Sequence, residues 1–251
     1  MNPKLTYLLL NLGSLAFPLV RSFEPLVRFW SFRKGIFLGI FASALYFIPL
    51  DAWFTAQGWW GFNPAYFLGP ALLGLPLEEW LFFICIPYAC LFIYACVCRL
   101  TPIKDGTVWT SLGWVIVVIS LLTAALNHDK AYTFYKVGIA GLVMAAFLIH
   151  RRGRGVGNFL VAYLITEIPF FIVNGILTSL PVVWYNNAEN LSIRMNDILP
   201  IGWLNIPIED NIYSLQLLLV PVWVLEAVHG HLDEQYHTNR VIKSEAVLRH
   251  A

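Results

Sequence analysis

Two pairs of neighbouring carboxylates stand out in a chain that carries few charges. They are Glu78 with Glu79 and Glu209 with Asp210, and each pair follows a proline two residues before its first member. Carboxyl groups held together in a low dielectric cannot all be ionised, so one keeps its proton beside another that can accept one. The two pairs therefore predict an acid and a base for proton transfer.

Each pair stands at the start of an apolar stretch, so an alternative role is to stabilise the first turn of a helix. Proline is favoured at the first helical position, and carboxylates in the first turn interact well with the helix dipole. Ionisable groups at membrane depth are costly and usually functional, so the repetition of the pair favours chemistry. Adjacent helical residues point about 100° apart. We therefore expect Glu78 and Glu79 to differ in role, with one facing a cavity and the other held by a polar partner.

Aromatic side chains surround both pairs. They could form the belt that membrane proteins place at the bilayer surface, or a pocket whose ring faces stabilise a carbocation. Acids beside ring faces suit the protonation of an alkene in an oily substrate. These residues are Trp53, Phe54, Trp59, Trp60, Phe62, Tyr66, Phe67, Trp80, Phe82, Phe83, Tyr88, Trp184, Tyr185, Trp203, Tyr213 and Trp223.

Composition indicates which elements position these groups. The chain has 251 residues, of which 59 % are hydrophobic and 12 % charged, and its mean hydropathy is +0.68. Soluble domains are about 45–50 % apolar and about 25 % charged. The sequence therefore predicts an all-α integral membrane protein. The net charge of +1 excludes a nucleic-acid partner, since it offers no field for phosphates.

About seven transmembrane helices are expected, because one helix needs about 20 apolar residues. The predicted spans are 5–20, 35–50, 77–98, 108–126, 132–149, 157–180 and 207–228. Of the 16 Lys and Arg residues, all but Lys4, Lys130, Lys136 and Arg194 fall on one side. The positive-inside rule makes that side cytoplasmic. The amino terminus and the loops 51–75 and 181–205 are then outside, and the carboxy terminus is cytoplasmic.

The two acidic pairs also indicate an internal repeat, because each opens the third helix of a three-helix set. We predict a first repeat over 1–100, a connecting helix over 101–130, a second repeat over 131–230 and a cytoplasmic tail over 231–251. Three helices plus a connector return the chain to its starting side, so the repeats are parallel. Both acidic pairs then lie at the same membrane face.

Other polar residues receive more modest interpretations. The four cysteines, all on span three, lack the spacing of a zinc site and read as packing residues. Glu167 in span six is either a proton relay or hydrogen-bonded to a neighbouring helix. His229, His231 and His237 with Asp233 and Glu234 could hold a metal, but a solvated segment beside the membrane is favoured, and we predict no metal site. The tail 236–251 is expected to be poorly ordered.

Longer stretches of the chain resemble a known family. The first half carries Asp51-Ala-Trp-Phe-Thr, Trp60-Gly-Phe-Asn-Pro64, Leu75-Pro-Leu-Glu-Glu-Trp-Leu-Phe-Phe83 and Ile86-Pro-Tyr88. The second half carries Ile168-Pro-Phe-Phe-Ile-Val-Asn-Gly175, Trp184-Tyr-Asn-Asn-Ala-Glu-Asn190, Arg194 and Ile206-Pro-Ile-Glu-Asp210. Together they resemble the lycopene cyclase domain family, in its flavin-free, heterodimer-type bacterial form with fused halves. The cyclase domain of the fungal bifunctional lycopene cyclase/phytoene synthase is similar too.

The resemblance implies the conversion of lycopene through γ-carotene to β-carotene. A terminal alkene is protonated, the carbocation is attacked by the neighbouring alkene, and loss of a proton gives the ring without net redox change. No cofactor is implied, and the sequence has no G-x-G-x-x-G fingerprint of a flavin enzyme. The implied partners are the bilayer of the cytoplasmic membrane, the carotenoid substrate and other enzymes of the carotenoid pathway.

Our residue assignments follow from the motifs. Glu78 or Glu79 is the expected proton donor, and Glu209 and Asp210 are the expected acid/base partner or cation stabiliser. Since Asp210 is shorter than a glutamate, one composite site is preferred to two equivalent ones. The expected supporting residues are Asp51, Trp60, Asn63, Phe82, Phe83, Glu167, Asn174, Trp184, Asn186, Asn187, Glu189, Arg194 and Tyr213.

Other classes of membrane protein are less well supported. A retinal protein needs a lysine in the last span, and 207–228 has none. A prenyltransferase would use Asp-rich motifs to hold Mg²⁺ and diphosphate, with basic residues nearby. A proton-coupled transporter is permitted by repeats and intramembrane carboxylates, and only the family motifs argue against it. A cyclase that acts on a related carotenoid or forms another ring type is the nearest alternative.

Overall fold

The computed structural model describes residues 2–236, which are mostly helical. Seven helices in this part of the chain are long and apolar enough to cross a membrane, which confirms the prediction of an all-α, multi-pass membrane protein. These helices are α1 (Thr6–Arg21), α2 (Arg33–Ala56), α3 (Leu77–Leu100), α4 (Thr107–Leu126), α5 (Ala131–Arg151), α6 (Val156–Ser179) and α8 (Glu209–His229), and a short α7 (Met195–Ile198) precedes the last.

The predicted spans agree with the helices except at the end of the second. That span was predicted to end at residue 50, with an outward loop from 51, but α2 continues to Ala56. Asp51 was taken as the first polar residue of the loop. It is instead completely buried inside α2, where partners from other helices surround it. Because the partners of Asp51 are distant in the sequence, the charge of this residue was interpreted as the end of the helix, and the last turns of α2 were not predicted.

Short strands join the two long loops. Strand β1 (Trp60–Phe62) follows α2, and β4 (Val183–Tyr185) follows α6; they pair antiparallel with Gly61 opposite Trp184. A Cβ atom at Gly61 would lie 2.6 Å from the Trp184 indole, so only glycine fits there. A small hairpin of β2 (Ala71–Leu72) and β3 (Leu75–Pro76) leads directly into α3. The strand pair thereby fixes the ends of α2 and α6 close together.

One end of the bundle gathers the residues of interest, and we call it the acidic end. The starts of α1 and α3 meet there, because the Tyr7 hydroxyl donates a hydrogen bond to the Glu79 carboxyl. The starts of α5 and α8 also meet there, since the Tyr132 hydroxyl lies 2.8 Å from Asp210 Oδ1. The β1–β4 pair adds the ends of α2 and α6. Six of the seven long helices therefore take part in these contacts at the acidic end.

Close packing of α2 on α8 holds the middle of the bundle. A Cβ atom at Gly39 would lie 2.7 Å from the backbone oxygen of Pro221, so a larger residue there would separate the two helices. Small residues that let helix backbones approach are typical of packing inside membranes, where lipid is as apolar as the core. Further along, the Gly35 amide donates a hydrogen bond of 3.1 Å to His229 Nε2.

The opposite end of the bundle contains a buried ionic cluster. The guanidinium of Arg151 on α5 forms an ion pair with Glu226 on α8, and both residues are at most 6 % exposed. The Tyr94 hydroxyl on α3 donates a 2.5 Å hydrogen bond to Glu226 Oε1, and the Leu232 amide donates one of 3.2 Å. The cluster thus ties three helices to the segment after α8.

The segment after α8 is not the solvated tail that we predicted. His231 lies 3.6 Å from Glu226, Leu232 is fully buried, and the Tyr236 hydroxyl donates a 2.7 Å hydrogen bond to the Val27 carbonyl. Asp233 accepts a hydrogen bond of 3.1 Å from Asn158. Residues 231–236 therefore pack on the bundle, in part through contacts between groups that lie far apart in the sequence. His237 and the rest of the tail predicted over 236–251 lie outside the described residues.

The ionic cluster yields a test of stability. Replacing Arg151 with Met should lower the free energy of unfolding by about 3–5 kcal/mol, because it leaves the Glu226 charge buried without its cation. Urea unfolding of the protein in detergent, followed by tryptophan fluorescence, would measure the change. The matched control is Arg152→Met, at an exposed neighbour, where a change within about 0.5 kcal/mol is expected. Equal stabilities for the two variants would show that the ion pair does not stabilise the fold.

Candidate active site

A small cavity of about 30 Å³ lies at the acidic end, where residues from both halves of the chain meet. Its ionisable walls are Glu79 from α3, Asp210 from α8 and Lys136 from α5. The remaining lining side chains are aromatic or apolar apart from one amide. They are Tyr7, Trp60, Phe82, Tyr132, Phe170, Asn174, Leu177, Val183, Tyr185 and Tyr213. We call this space the acidic cavity.

The first acidic pair divides as the helix geometry predicts. Glu79 lines the acidic cavity and accepts the hydrogen bond from Tyr7. Glu78 points to the loop before α3, where its Oε1 accepts a 2.7 Å hydrogen bond from the Leu68 amide. The backbone oxygen of Glu78 also accepts a 2.7 Å hydrogen bond from the Asn11 side chain on α1. Glu78 therefore secures the loop and Glu79 faces the cavity.

The second pair divides in the same way. Asp210 lines the cavity, whereas Glu209 Oε1 accepts hydrogen bonds from the Thr133 hydroxyl at 2.6 Å and from the Leu191 amide at 2.8 Å. Glu209 thus fastens the loop before α8 to the start of α5. The structure brings together one member of each pair, and the other two members anchor loops.

The carboxyls of Asp210 and Glu79 differ in their hydrogen-bond donors. Asp210 accepts three hydrogen bonds: from Tyr132 at 2.8 Å, from Asn174 at 3.0 Å and from Tyr185 at 2.6 Å. Burial and the neighbouring Asp210 raise the pKa of Tyr185 well above its usual range, so this phenol stays a neutral donor. Three donors on one carboxyl favour its ionised form.

Lys136 forms a cluster with Asp51 and Tyr213 in the wall of the cavity. Its Nζ lies 3.6 Å from Asp51 Oδ1 and 3.4 Å from the centroid of the Tyr213 ring. The Tyr213 hydroxyl donates a 3.0 Å hydrogen bond to Asp51 Oδ2. The Lys136 ammonium also lies within 6 Å of the Phe54, Trp60 and Tyr132 rings. The aromatic wall of the cavity therefore already accommodates one cation.

A long apolar groove leads to the acidic cavity. It has a volume of about 590 Å³, runs between α1, α3, α6 and α8, and shares Phe82, Phe170 and Asn174 with the cavity. Its walls on α3 extend from Phe82 to Leu100. That distance is about 27 Å at the helical rise, close to the ~30 Å thickness of the hydrocarbon core. Two lining residues, Phe17 and Ile165, are exposed at the bundle surface, so the groove opens towards lipid.

Glu167 lies beside this groove rather than in the acidic cavity. Its carboxyl accepts a hydrogen bond from Ser214 on α8, and Ser214 lines the groove together with Thr166. Of the two expectations for Glu167, the structure thus displays the hydrogen bond to a neighbouring helix. Cys90 and Cys96 also line the groove, while Cys85 and Cys98 are buried.

The remaining predicted supporting residues organise loops or the core. Asn63 and Asn186 each accept a hydrogen bond from a backbone amide two residues ahead. Glu189 accepts one from the amide of Ala131 at the start of α5, at 3.2 Å. Phe83 is fully buried and stacks on Phe47. Three others lie on the loops at the acidic end: Arg194 donates a hydrogen bond to Asn187, and Trp184 covers Gly61.

Several cavity residues were missing from the sequence prediction. Lys136 was assigned to the outer face for orientation, but it is 6 % exposed and lies inside α5. Tyr7 and Tyr132 were not selected, although each stands at the start of a span. A lysine within a predicted span was itself a signal, because ionisable groups at membrane depth are usually functional. Tyr7 and Tyr132 carried no comparable signal in the sequence, since only folding places them opposite the carboxyls of Glu79 and Asp210.

The arrangement is suited to moving protons next to an apolar molecule. It offers two carboxyls of unequal surroundings, ring faces that can stabilise positive charge, and a groove for a long hydrophobic chain. The described residues contain no group of three or more His, Cys, Asp or Glu side chains that could hold a metal ion.

One of three comparisons with known proteins found a match. A family model described as lycopene cyclase matches residues 4–97 and 129–228, which make up most of the chain. Comparison with curated proteins gave no match. Comparison with solved structures gave none either.

Proposed function

The chain belongs to the lycopene cyclase family, and we propose that it converts lycopene through γ-carotene to β-carotene by acid–base catalysis. The observation that carries this proposal is the meeting of Glu79 and Asp210 in one cavity at the end of an apolar groove. As an intramolecular reaction without net redox change, the cyclisation requires a proton donor, a proton acceptor and a site for a carbocation.

Lycopene binding is assigned to the groove. A linear hydrocarbon has no polar group to recognise, so its binding depends on burial of apolar surface. The groove supplies that surface along nearly the whole membrane thickness, and its opening at Phe17 and Ile165 admits substrate directly from the bilayer. One end of the substrate then reaches Phe82 and Phe170, which line both the groove and the acidic cavity.

Glu79 is the proposed acid. The donors on Asp210 favour its carboxylate, and like charges in a low dielectric disfavour a second ionised carboxyl nearby. Glu79 therefore carries the proton and transfers it to the terminal double bond of the substrate. The neighbouring double bond attacks the resulting cation and closes the six-membered ring, which moves the positive charge to a ring carbon.

Asp210 is the proposed base. Loss of a proton from the ring carbon that formed the new bond, next to the cationic carbon, creates the double bond of the β-ring, and the Asp210 carboxylate accepts this proton. Proton exchange of both carboxyls with water restores the starting state, so no proton is consumed overall. The aromatic wall and the carboxylates together stabilise the intermediate cation, as the position of the Lys136 ammonium over the Tyr213 ring illustrates.

The two halves of the chain act as repeats in this proposal. Tyr7 with Glu79 in the first half matches Tyr132 with Asp210 in the second, and the loop anchors Glu78 and Glu209 match each other. The two segments matched by the family model leave out α4, which fits a connecting helix. We infer one composite site, because a single cavity receives a carboxyl from each half.

The proposed setting is the cytoplasmic membrane, with the amino terminus and the acidic end outside. The Lys and Arg distribution supports this orientation. Lys136 leaves the outer count because it is buried, which strengthens the bias. Other enzymes that supply or use carotenoids in the same bilayer are the expected partners.

The acid assignment can be tested in cells that accumulate lycopene. The wild-type chain should produce β-carotene, whereas Glu79→Gln should lower turnover at least ~100-fold, since general acid catalysis contributes about 10²–10⁴-fold. The matched control is Glu78→Gln, which keeps the oxygen that accepts the Leu68 amide and should retain most activity. Pigments would be identified by chromatography and normalised to membrane-inserted protein.

Two results would contradict the proposal. If Glu79→Gln formed β-carotene at the wild-type rate, Glu79 would not be the acid. If the wild-type chain, correctly inserted, left lycopene unchanged, the cyclase activity itself would be excluded.

The groove assignment has an independent test at Gly13. A Cβ atom there would meet nothing within 4 Å, and Gly13 lines the groove. Gly13→Trp should therefore place an indole in the groove and reduce turnover of lycopene at least ~10-fold, while Gly13→Ala should stay within about twofold. Turnover in detergent–lipid micelles at several lycopene concentrations would measure it. Unchanged kinetics for Gly13→Trp would place the substrate elsewhere.

A further inference from the structure

Lys136 lines the acidic cavity but has no part in the acid–base pair. It lies in α5 and is 6 % exposed. A buried ammonium is costly unless it is paired and solvated by other groups. Its position beside the two proposed catalytic carboxyls therefore calls for a role.

The partner of Lys136 comes from the other half of the chain. Asp51 on α2 is fully buried, and its Oδ1 lies 3.6 Å from Lys136 Nζ. Tyr213 links the two charges, since its hydroxyl donates to Asp51 Oδ2 while its ring lies under the ammonium. Lys136 and Asp51 are thus a closely held pair of opposite charges in the cavity wall.

This pair is set among the other titratable groups of the acidic end. Lys136 is the one cation among the described residues that line the acidic cavity. The groups that face the pair from the packed elements are Tyr7 on α1, Tyr46 on α2, Glu79 on α3, Tyr132 and Tyr135 on α5, Tyr185 on β4, and Asp210 and Tyr213 on α8. Its electric field therefore acts on both proposed catalytic carboxyls.

The ammonium also breaks the similarity between the halves. Lys136 follows Tyr132 by four residues on α5, and Asn11 follows Tyr7 by four residues on α1. Asn11 donates a hydrogen bond to the backbone of Glu78 and carries no charge. The positive charge is thus present on one side only, which makes the surroundings of Glu79 and Asp210 unequal.

We propose that Lys136 and Asp51 form a charge-setting pair, in which each charge offsets the field of the other at Glu79 and Asp210 and so maintains the pH range in which Glu79 holds a proton while Asp210 does not. This inference rests on the proposed function. Lys136 is then a positioning residue, because it acts through the two carboxyls and not on the substrate.

Coulomb's law gives the sign of the effect. An ammonium makes ionisation of nearby carboxyls easier, and a carboxylate makes it harder. Loss of Lys136 alone should therefore move the pH–rate profile to higher pH, and loss of Asp51 alone should move it to lower pH. Loss of both should leave the profile near its original position, since the two fields largely cancel.

The test compares pH–rate profiles for turnover of lycopene by wild type, Lys136→Met, Asp51→Asn and the double variant, with both membrane faces at the same pH. We expect a shift of about one pH unit upward for Lys136→Met and about one unit downward for Asp51→Asn. The double variant should return to within about 0.3 unit of wild type. The matched control is Lys130→Met, just before α5, which should leave the profile unchanged.

Three outcomes would overturn the charge-setting pair: profiles that do not move, shifts of the same sign, or a double variant as displaced as either single one. A purely structural role would lower the amount of folded protein, measured by size-exclusion chromatography, without moving the profile per folded molecule. If Lys136→Met fails to fold, the downward shift of Asp51→Asn and its reversal in the double variant still decide the matter. A failure of the proposed function is distinct, because the wild-type chain would then leave lycopene unchanged.

Discussion

Charge compensation within an apolar bundle is the constraint on which this structure depends. An ionised group removed from water is stable only when hydrogen-bond donors or an opposite charge meet it. At the acidic end these partners are tyrosine hydroxyls, an asparagine amide and one ammonium, which come from α1, α5 and α6. The helix ends that carry these groups are thereby fixed relative to one another. The Arg151–Glu226 pair serves the same purpose at the opposite end.

The helical period gives the two carboxyls of each acidic pair different positions and roles. Because neighbouring residues point about 100° apart, each acidic pair can present one carboxyl to a loop and the other to the cavity. Glu78 and Glu209 accept hydrogen bonds from backbone amides in the loops before α3 and α8. These bonds order the two loops, in which β1 and β4 pair. Glu79 and Asp210 are left facing the apolar groove, so one short motif supplies both the scaffold and the proposed acid–base pair.

Much of the fold and part of the site could be predicted from the sequence. Apolar runs and sparse charges were sufficient to predict seven membrane helices, and the carboxylates Glu79 and Asp210 were selected from their spacing after proline. The prediction was wrong where a polar residue had a distant partner. Asp51 was taken to start a loop, and His231 was assigned to solvent. Lys136 was counted as a surface charge, because Asp51 and Tyr213 lie far from it in the sequence and only packing brings them together.

The central claim is that a proton from an exchangeable carboxyl starts the cyclisation and that a different proton is lost at the end. The most direct measurement is the mass of the product formed in D₂O from unlabelled lycopene. One deuterium should be gained for each ring closed, because the Glu79 carboxyl exchanges with solvent before it protonates the alkene. A cyclised product without deuterium would require an internal hydrogen shift and would contradict the roles proposed for Glu79 and Asp210.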